Sequence, residues 1–370
     1  MSIAAPERSE LPPLRAVGRA DAVRDALGPL GCDALVVTEL TNIRWLSGFS
    51  GSSATLVVSP TGLVLVTDGR YRDQASAELA AAGVDARIEI TREIEAPVRA
   101  ATAGWRVGLE AGSVTWSRQR TMGEWFDGEV VATDGLVEGL REVKDDAELA
   151  RIARAAAICD DAVAEVAPML LGQPSERDVA AELDYRMRLR GADDRAFDTI
   201  VASGPNGARP HAHPGDRRIV DGDLVVIDVG AMVDGYRSDM TRTFAIGEVD
   251  ETRRRMLEVV TSAQAAAAAL VAPGVATEDL DAAARDVIAA AGWADAFSHG
   301  LGHGVGLDIH EPPMLSATPG RALREGEVVT IEPGVYVPGV GGVRVEDTVA
   351  VVAGGSRTLT ASTKDPSPSR

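Results

Sequence analysis

The sequence predicts an α/β N-terminal domain followed by an α+β domain assembled from two copies of one unit. Two observations carry that prediction. Through residues 1–140, short apolar strands alternate with segments of helical period, the pattern of a sheet flanked by helices. Beyond them, Gly222-Asp-Leu-Val-Val-Ile-Asp-Val-Gly230 is matched by Gly326-Glu-Val-Val-Thr-Ile-Glu-Pro-Gly334, and the likeness extends to either side. At 370 residues the chain has room for two domains with separate cores.

Taken in order, residues 1–13 read as a polar, proline-containing lead-in and residues 14–27 as an amphipathic helix. Residues 32–37 form a short buried strand, and residues 42–51 are turn-rich. Strands at 54–58 and 63–67 are joined by Ser59-Pro-Thr-Gly62, a hairpin signal. Asp68-Gly-Arg-Tyr71 closes the second strand, and an alanine-rich helix runs to Ala82. A strand at 86–90, a helix at 94–101 and a strand at 106–109 continue the alternation; Pro97 fits only the first turn of its helix. The charged run Arg141-Glu-Val-Lys-Asp-Asp-Ala-Glu148 leads into a long helix at 147–167. The domain boundary is therefore placed between residues 140 and 141. The second domain is expected over 141–360, and the Ser/Pro-rich residues 361–370 as a disordered tail.

The duplication organises the second domain. Asp239-Met-Thr-Arg-Thr243 answers Glu346-Asp-Thr-Val-Ala350, and Gly172-Gln-Pro-Ser-Glu-Arg-Asp178 answers Gly274-Val-Ala-Thr-Glu-Asp-Leu280. Ser175 and Thr277 read as helix N-caps with acids in the following turn. Each half is then two helices followed by an antiparallel strand pair. Two copies are too few for a solenoid and imply a pseudo-two-fold domain whose hairpins meet at a centre.

Composition excludes several roles. A net charge of −19 disfavours nucleic-acid binding through a general basic surface. Two cysteines, Cys32 and Cys159, cannot staple a chain of this size. The first residues lack the apolar core of a signal peptide, and the longest apolar run, at 265–272, is too short to span a bilayer. A soluble cytoplasmic protein with no membrane partner is the expectation.

Three of the five histidines, His299, His303 and His310, fall in Phe297-Ser-His-Gly-Leu-Gly-His-Gly-Val-Gly-Leu-Asp-Ile-His-Glu311. The alternating glycines disfavour a helix and permit close backbone approach, so a loop or irregular strand delivering imidazoles to a polar site is expected. The absence of a Walker lysine argues against a phosphate cradle. Each hairpin also carries two acids, Asp228 and Asp239 in the first, Glu332 and Glu346 in the second, within otherwise buried strands. Four converging buried carboxylates repel one another unless a cation sits among them. Two divalent ions bridged by carboxylates, with His303 as a nitrogen ligand, satisfy that requirement. The donor set is hard and oxygen-dominated, suited to Mn, Co, Fe or Zn. The plainer reading, acids paired with Arg242 and Arg344 on the surface, leaves their duplicated placement unexplained. A metal pair activates water and polarises a carbonyl. His310 and His211 are then candidates to stabilise an oxyanion, His299 to position substrate, and Arg344 to hold a carboxylate; His213 reads as a solvated neighbour of His211.

These segments resemble the pita-bread fold metallopeptidases, the group of methionine aminopeptidase, aminopeptidase P, prolidase and creatinase. The resemblance rests on Ile227-Asp-Val-Gly230, Ser238-Asp-Met-Thr-Arg-Thr243, Gly302-His-Gly-Val-Gly306 with His310-Glu311, Glu332-Pro-Gly334, Arg344-Val-Glu-Asp347 and the loop Ser203-Gly-Pro-Asn-Gly-Ala-Arg-Pro-His211. Residues 42–51 and 67–71 are similar to the non-catalytic domain of the Xaa-Pro peptidases. The resemblance implies that Asp228 binds one metal, that Asp239 contacts both, that Glu346 bridges them, and that His303 and Glu332 complete the ligand shell of the second metal. It further implies a metal-activated hydroxide as nucleophile, Glu332 as proton carrier, His211 and His310 on the intermediate, and His299 lining the site. Two divalent ions, Mn2+ first and Co2+, Zn2+ or Fe2+ as alternatives, and a proline-containing peptide substrate follow. By analogy alone a homodimer is admissible.

The leading expectation from sequence is an Xaa-Pro aminopeptidase, with an Xaa-Pro dipeptidase as the alternative. Methionine aminopeptidases usually lack a domain like residues 1–140. A metal-free creatinase or a non-catalytic peptide-binding module is disfavoured by the complete ligand set.

Overall fold

The computed structural model describes residues 7–368 and divides into two units, Pro12–Arg141 and a second comprising residues 7–11 and 142–368. In the first unit, strands β1 (Ala34–Val37), β2 (Ala54–Ser59), β3 (Gly62–Thr67), β4 (Ala86–Ile90), β5 (Val107–Glu110) and β6 (Val131–Thr133) form one sheet in the order β4-β3-β2-β1-β5-β6. The β1/β2 and β2/β3 pairs are antiparallel and the rest parallel. The helices are α1 (Arg19–Leu27), α2 (Leu40–Ser47), α3 (Arg72–Ala82), α4 (Glu95–Thr102), α5 (Trp116–Gly123) and α6 (Leu136–Arg141). Val36, Val57, Val66 and Leu109 from the strands pack with Val98 of α4 and Met122 of α5. The turn-rich expectation for residues 42–51 gives way to α2. The Glu39 carboxylate accepts from Thr41 N at its start, Ile43 and Leu46 are buried, and Gly48 ends the helix in the left-handed region.

The second unit contains α7 (Asp146–Val166), α8 (Glu176–Leu189), β7 (Asp194–Arg195), β8 (Ile200–Ser203), β9 (Leu224–Val229), β10 (Ala231–Val233), β11 (Tyr236–Arg237), β12 (Met240–Ala245), α9 (Glu251–Ala268), α10 (Thr277–Ala290), β13 (Gly302–Gly304), β14 (Glu311–Leu315), β15 (Val328–Ile331), β16 (Gly334–Val337), β17 (Gly341–Arg344), β18 (Asp347–Val352) and β19 (Gly355–Thr358). The duplication is plain in the pairing. The sheet β12-β9-β8 corresponds to the run β18-β15-β13, all antiparallel, inside the larger sheet β14-β13-β15-β18-β19. Each half has its own core. Val225, Ile227 and Val229 of β9 pack with Ile158 and Val163 of α7 and Leu183 of α8; Val329 and Ile331 of β15 pack with Met256 and Val260 of α9 and Leu280 and Ile288 of α10. Because side chains alternate along a strand, the residues between these apolar positions, Asp228 and Thr330, face away from the helices.

Three expectations are corrected. Ser175 caps α8 through a reciprocal bond pair with Asp178, but Thr277 is the first residue of α10 and the cap position is Ala276, with no side-chain cap. Residues 7–11 belong with the second unit rather than the first, since Arg8 pairs with Asp193 and Asp234. The expected disordered tail is held in place through its described part. Ala361 and Ser362 donate their backbone N–H groups to Asp160 at 2.7 Å each, and Ala245 N–H donates to the Pro366 carbonyl at 2.7 Å. Residues 369–370 lie outside the described residues. No helix among the described residues is long and apolar enough to cross a membrane.

Candidate metal centre

The two hairpins deliver their acids to one point. Asp228 sits in β9, Asp239 immediately before β12, Glu332 immediately after β15 and Glu346 immediately before β18. Placement at strand ends lets the side chains converge while the strands remain paired. The main chains there are stitched across the two halves. The Thr348 hydroxyl donates to the Asp239 carbonyl at 2.6 Å and accepts from Asp239 N–H at 3.3 Å; Glu346 N–H donates to the Thr241 carbonyl at 3.1 Å.

His303 enters on β13, wedged between β14 and β15. A Cβ on Gly302 would collide with the Thr330 carbonyl, and one on Gly304 with the Pro312 carbonyl, so only glycine permits this close passage. His303 Nδ1 lies 3.0 Å from the Gly304 carbonyl, which makes Nδ1 the proton-bearing nitrogen and leaves Nε2 facing the acids. Nε2 is 3.2 Å from Glu332 Oε1 and 3.6 Å from Asp239 Oδ2. One ligand atom each from Asp239, His303 and Glu346 lie within 4.8 Å of one another.

Electrostatically the cluster is short of positive charge. Burial, then the neighbouring acids, hold Asp239 and Glu346 well above the usual carboxylate range. Burial also raises Asp228, partly offset by Arg344. Burial pushes Glu332 upward too, but its bond to His303 and that residue's charge reverse the shift, leaving it lowered and His303 raised. The remaining acceptors are unequally served. Asp228 Oδ2 takes a 2.6 Å bond from Arg344, and Glu346 Oε2 one of 2.7 Å from the Thr241 hydroxyl. Asp228 Oδ1 and Glu346 Oε1 are buried with no hydrogen-bond partner. Two orphaned carboxylate oxygens on raised acids, with His303 Nε2 turned toward the cluster as a nitrogen that ligates once its proton is displaced, fit divalent cations. The residues present therefore suit a carboxylate-and-histidine metal centre.

Above the acids lies a cavity of about 610 Å3, whose wall includes Asp228, Asp239, Glu332 and His303 together with His211, His213, His299, His310 and Arg344. Every sequence-predicted site residue is thus on this wall except Glu346, which is 1% exposed and sits beneath it. His213, expected as a solvated neighbour, faces the same cavity. His310 packs its ring edge-on against His303 with centroids 4.4 Å apart, and burial and that neighbour lower its pKa. His299 is lowered by burial; its Nε2 is 3.0 Å from the Tyr336 hydroxyl and its Nδ1 2.8 Å from the Gly300 carbonyl. Arg344 is fully engaged inside the protein. It donates to Asp228, to the Thr241 hydroxyl at 2.9 Å and to the Tyr336 hydroxyl at 2.7 Å. The carboxylate it holds is therefore that of Asp228. Reasoning from sequence missed Tyr336, whose burial against Arg344 depends on the β16/β17 hairpin, and Thr241, which alternation from Asp239 places on the same face. Phe197, Ile309 and Met314 supply an apolar part of the wall that no motif announces.

Residues 150–353 match Metallopeptidase family M24, and residues 19–143 match the Creatinase/Prolidase N-terminal domain. The chain is 35% identical to the Xaa-Pro dipeptidase of Pyrococcus horikoshii over 331 residues, 89% of this chain and 92% of the relative. It superposes on the Xaa-Pro dipeptidase from Bacillus anthracis with a TM-score of 0.90 at 35% identity, covering 95% of this chain and 99% of that one. The X-Pro aminopeptidase from Thermotoga maritima superposes with a TM-score of 0.84 at 32% identity, covering 92% and 98%.

Proposed function

The chain belongs to metallopeptidase family M24, and from that premise we propose that it is an Xaa-Pro dipeptidase, hydrolysing the bond between a first residue and a following proline. The observation that carries the proposal is the buried cluster of four acids and His303, with unpartnered oxygens on Asp228 and Glu346, at the floor of a peptide-sized cavity. Sequence alone puts the aminopeptidase first. The names of the Pyrococcus horikoshii and Bacillus anthracis relatives, each 35% identical to the chain, favour the dipeptidase.

Asp228, Asp239, Glu332, Glu346 and His303 would hold two divalent ions, with Mn2+ as the ion proposed and Co2+, Zn2+ or Fe2+ compatible with the same donors. When bound, such a pair supplies an activated water and a Lewis acid for the scissile carbonyl. The chain's own residues do the remainder. Arg344 fixes the rotamer of Asp228 by taking one oxygen and leaving the other free. Thr330, donating to Glu332 Oε1 at 3.1 Å, orients the carboxylate proposed to carry the proton from the attacking water to the leaving proline nitrogen. His310 and His211 are the donors proposed for the developing oxyanion. The Tyr336 hydroxyl holds the His299 ring against the cavity wall. Phe197 and Met314 offer apolar surface to the substrate.

The deciding assay uses chelator-stripped protein with and without Mn2+ on an X-Pro dipeptide and the matching X-Pro-Y tripeptide. Mn2+-dependent cleavage of the dipeptide alone is the expected result. Release of X and intact Pro-Y from the tripeptide would make the protein an Xaa-Pro aminopeptidase, the reading supported by its likeness to the Thermotoga maritima enzyme. Cleavage of neither would end both readings.

A further inference from the structure

Behind the acids, on the side away from the cavity, lies a buried polar network that the proposed chemistry does not use. Its centre is the Asp347 carboxylate, the residue after Glu346. Asp347 Oδ1 accepts from Arg242 at 2.8 Å and from the Thr360 hydroxyl at 2.9 Å; Oδ2 accepts from Gln264 at 3.0 Å and from Lys364 Nζ at 2.6 Å. Arg242, Asp347, Gln264 and Thr360 are all buried. Arg242 spans from this network to the metal centre. Its second nitrogen donates to the Glu346 carbonyl and, at 2.9 Å, to that of Thr241, while its remaining donors take the carbonyls of Ser362 and Thr363. Two of the partners on Asp347, Thr360 and Lys364, and both extra acceptors on Arg242 come from one stretch of chain after β19. That stretch is itself anchored by Asp160 and by the bond from Ala245 to Pro366.

We propose that this C-terminal strap positions Glu346 for the metal centre, with Lys364 and Thr360 as positioning residues acting through Asp347 and Arg242. The inference rests on reading Glu346 as a metal ligand. Its physical basis is that the Glu346–Asp347 peptide is gripped from both ends. The Asp347 side chain is fixed by four donors, two of them on the strap, and the Glu346 carbonyl is fixed by an arginine that also donates to two strap carbonyls, those of Ser362 and Thr363. Glu346 then has one main-chain position from which its carboxylate meets Thr241 and the cluster. Partners behind a metal ligand commonly alter metal affinity by about 10- to 100-fold when removed, and productive ligand geometry tolerates displacements of only about 0.5 Å.

The sign of the effect separates positioning from charge. Lys364 is a cation near the site, so deleting its charge would by Coulomb's law alone tighten the binding of another cation. Positioning requires the reverse. The experiment titrates Mn2+ into full-length, chelator-stripped protein by calorimetry, for the native chain and the Glu346→Gln, Lys364→Met, Lys364→Arg and Thr360→Val variants. Melting temperatures are recorded with and without Mn2+. The expected result is an Mn2+ Kd raised about tenfold or more in Lys364→Met and in Thr360→Val, and near-native binding in Lys364→Arg. An Mn2+ Kd in both Lys364→Met and Thr360→Val that is unchanged or tighter overturns the proposal, even if both variants melt earlier, since the strap would then be structural only. Glu346→Gln keeps the underlying reading separate. If it binds Mn2+ as the native chain does, Glu346 is not a ligand and the reading falls, taking the strap proposal with it. If it binds weakly while the strap variants bind normally, only the strap proposal falls.

Discussion

Replacing Asp239 by asparagine should stabilise the metal-free protein while removing its response to metal. One oxygen of Asp239 lies within 4.8 Å of one of Glu346, and at an effective dielectric constant of about 20 two negative charges at that separation repel by about 3.5 kcal/mol. Burial and these neighbours raise the pKa of Asp239 in the folded state. A carboxyl raised in this way contributes stability below its unfolded pKa and loses it as pH rises through the folded value, so the metal-free native chain weakens toward alkaline pH. The Asp239→Asn chain carries no such charge. At pH 8, and at about 2–4 °C per kcal/mol for a unit of this size, relieving even half of the repulsion raises the melting temperature by about 5 °C. At pH 4 the difference should shrink, because the native side chain is then neutral too. Metal reverses the order. At a free concentration 100 times Kd, Mn2+ stabilises the native chain by about 2.7 kcal/mol, or about 5–11 °C on the same scale. The variant should shift by less than about 2 °C, having lost one of the proposed anionic ligands. Scanning calorimetry of chelator-stripped protein at both pH values, with and without Mn2+, measures all of these shifts. A metal-free variant that melts below the native chain at pH 8, or one that retains the native metal shift, would refute the argument that uncompensated carboxylate repulsion is what the metal relieves.

Three further outcomes follow from the same geometry. Arg344→Met strips Asp228 of its buried partner and should cost about 3–5 kcal/mol in urea unfolding at pH 7; a loss below about 1 kcal/mol would mean the pair is not a buried one in solution. Gly302→Ala forces a methyl into the Thr330 carbonyl, so β13 must shift; destabilisation of about 1–3 kcal/mol and a weakened Mn2+ Kd are expected, and native values for both would contradict the close passage described. Burial pushes the Cys159 thiol up to about 12 and raises Cys32, so neither should react with Ellman's reagent at pH 8 until denaturant is added; stoichiometric labelling of the native protein within minutes would show that the interior opens readily.

The duplication, the strand pairs and the candidate set of acids and histidines are legible in the amino-acid sequence. The physical reason is that each rests on a local conflict. Charged residues interrupt strands such as Leu224–Val229 that are otherwise apolar, and burial of a charge demands a partner. Repetition of the same conflict in Gly326–Gly334 pointed to a shared candidate site where the two halves meet. Which groups meet across the halves is set by tertiary contacts. That Arg344 serves Asp228, that Tyr336 joins it to His299, and that His213 reaches the cavity depend on contacts between segments far apart in the chain, to which composition and period are blind. The tail is the sharpest case. Ala361–Pro366 is polar and proline-containing, the composition of a frayed end, yet its order comes from acceptors and donors on Asp160, Arg242, Ala245 and Asp347. The order of such a segment is set by the partners that the rest of the fold places beside it, and its own sequence does not encode them.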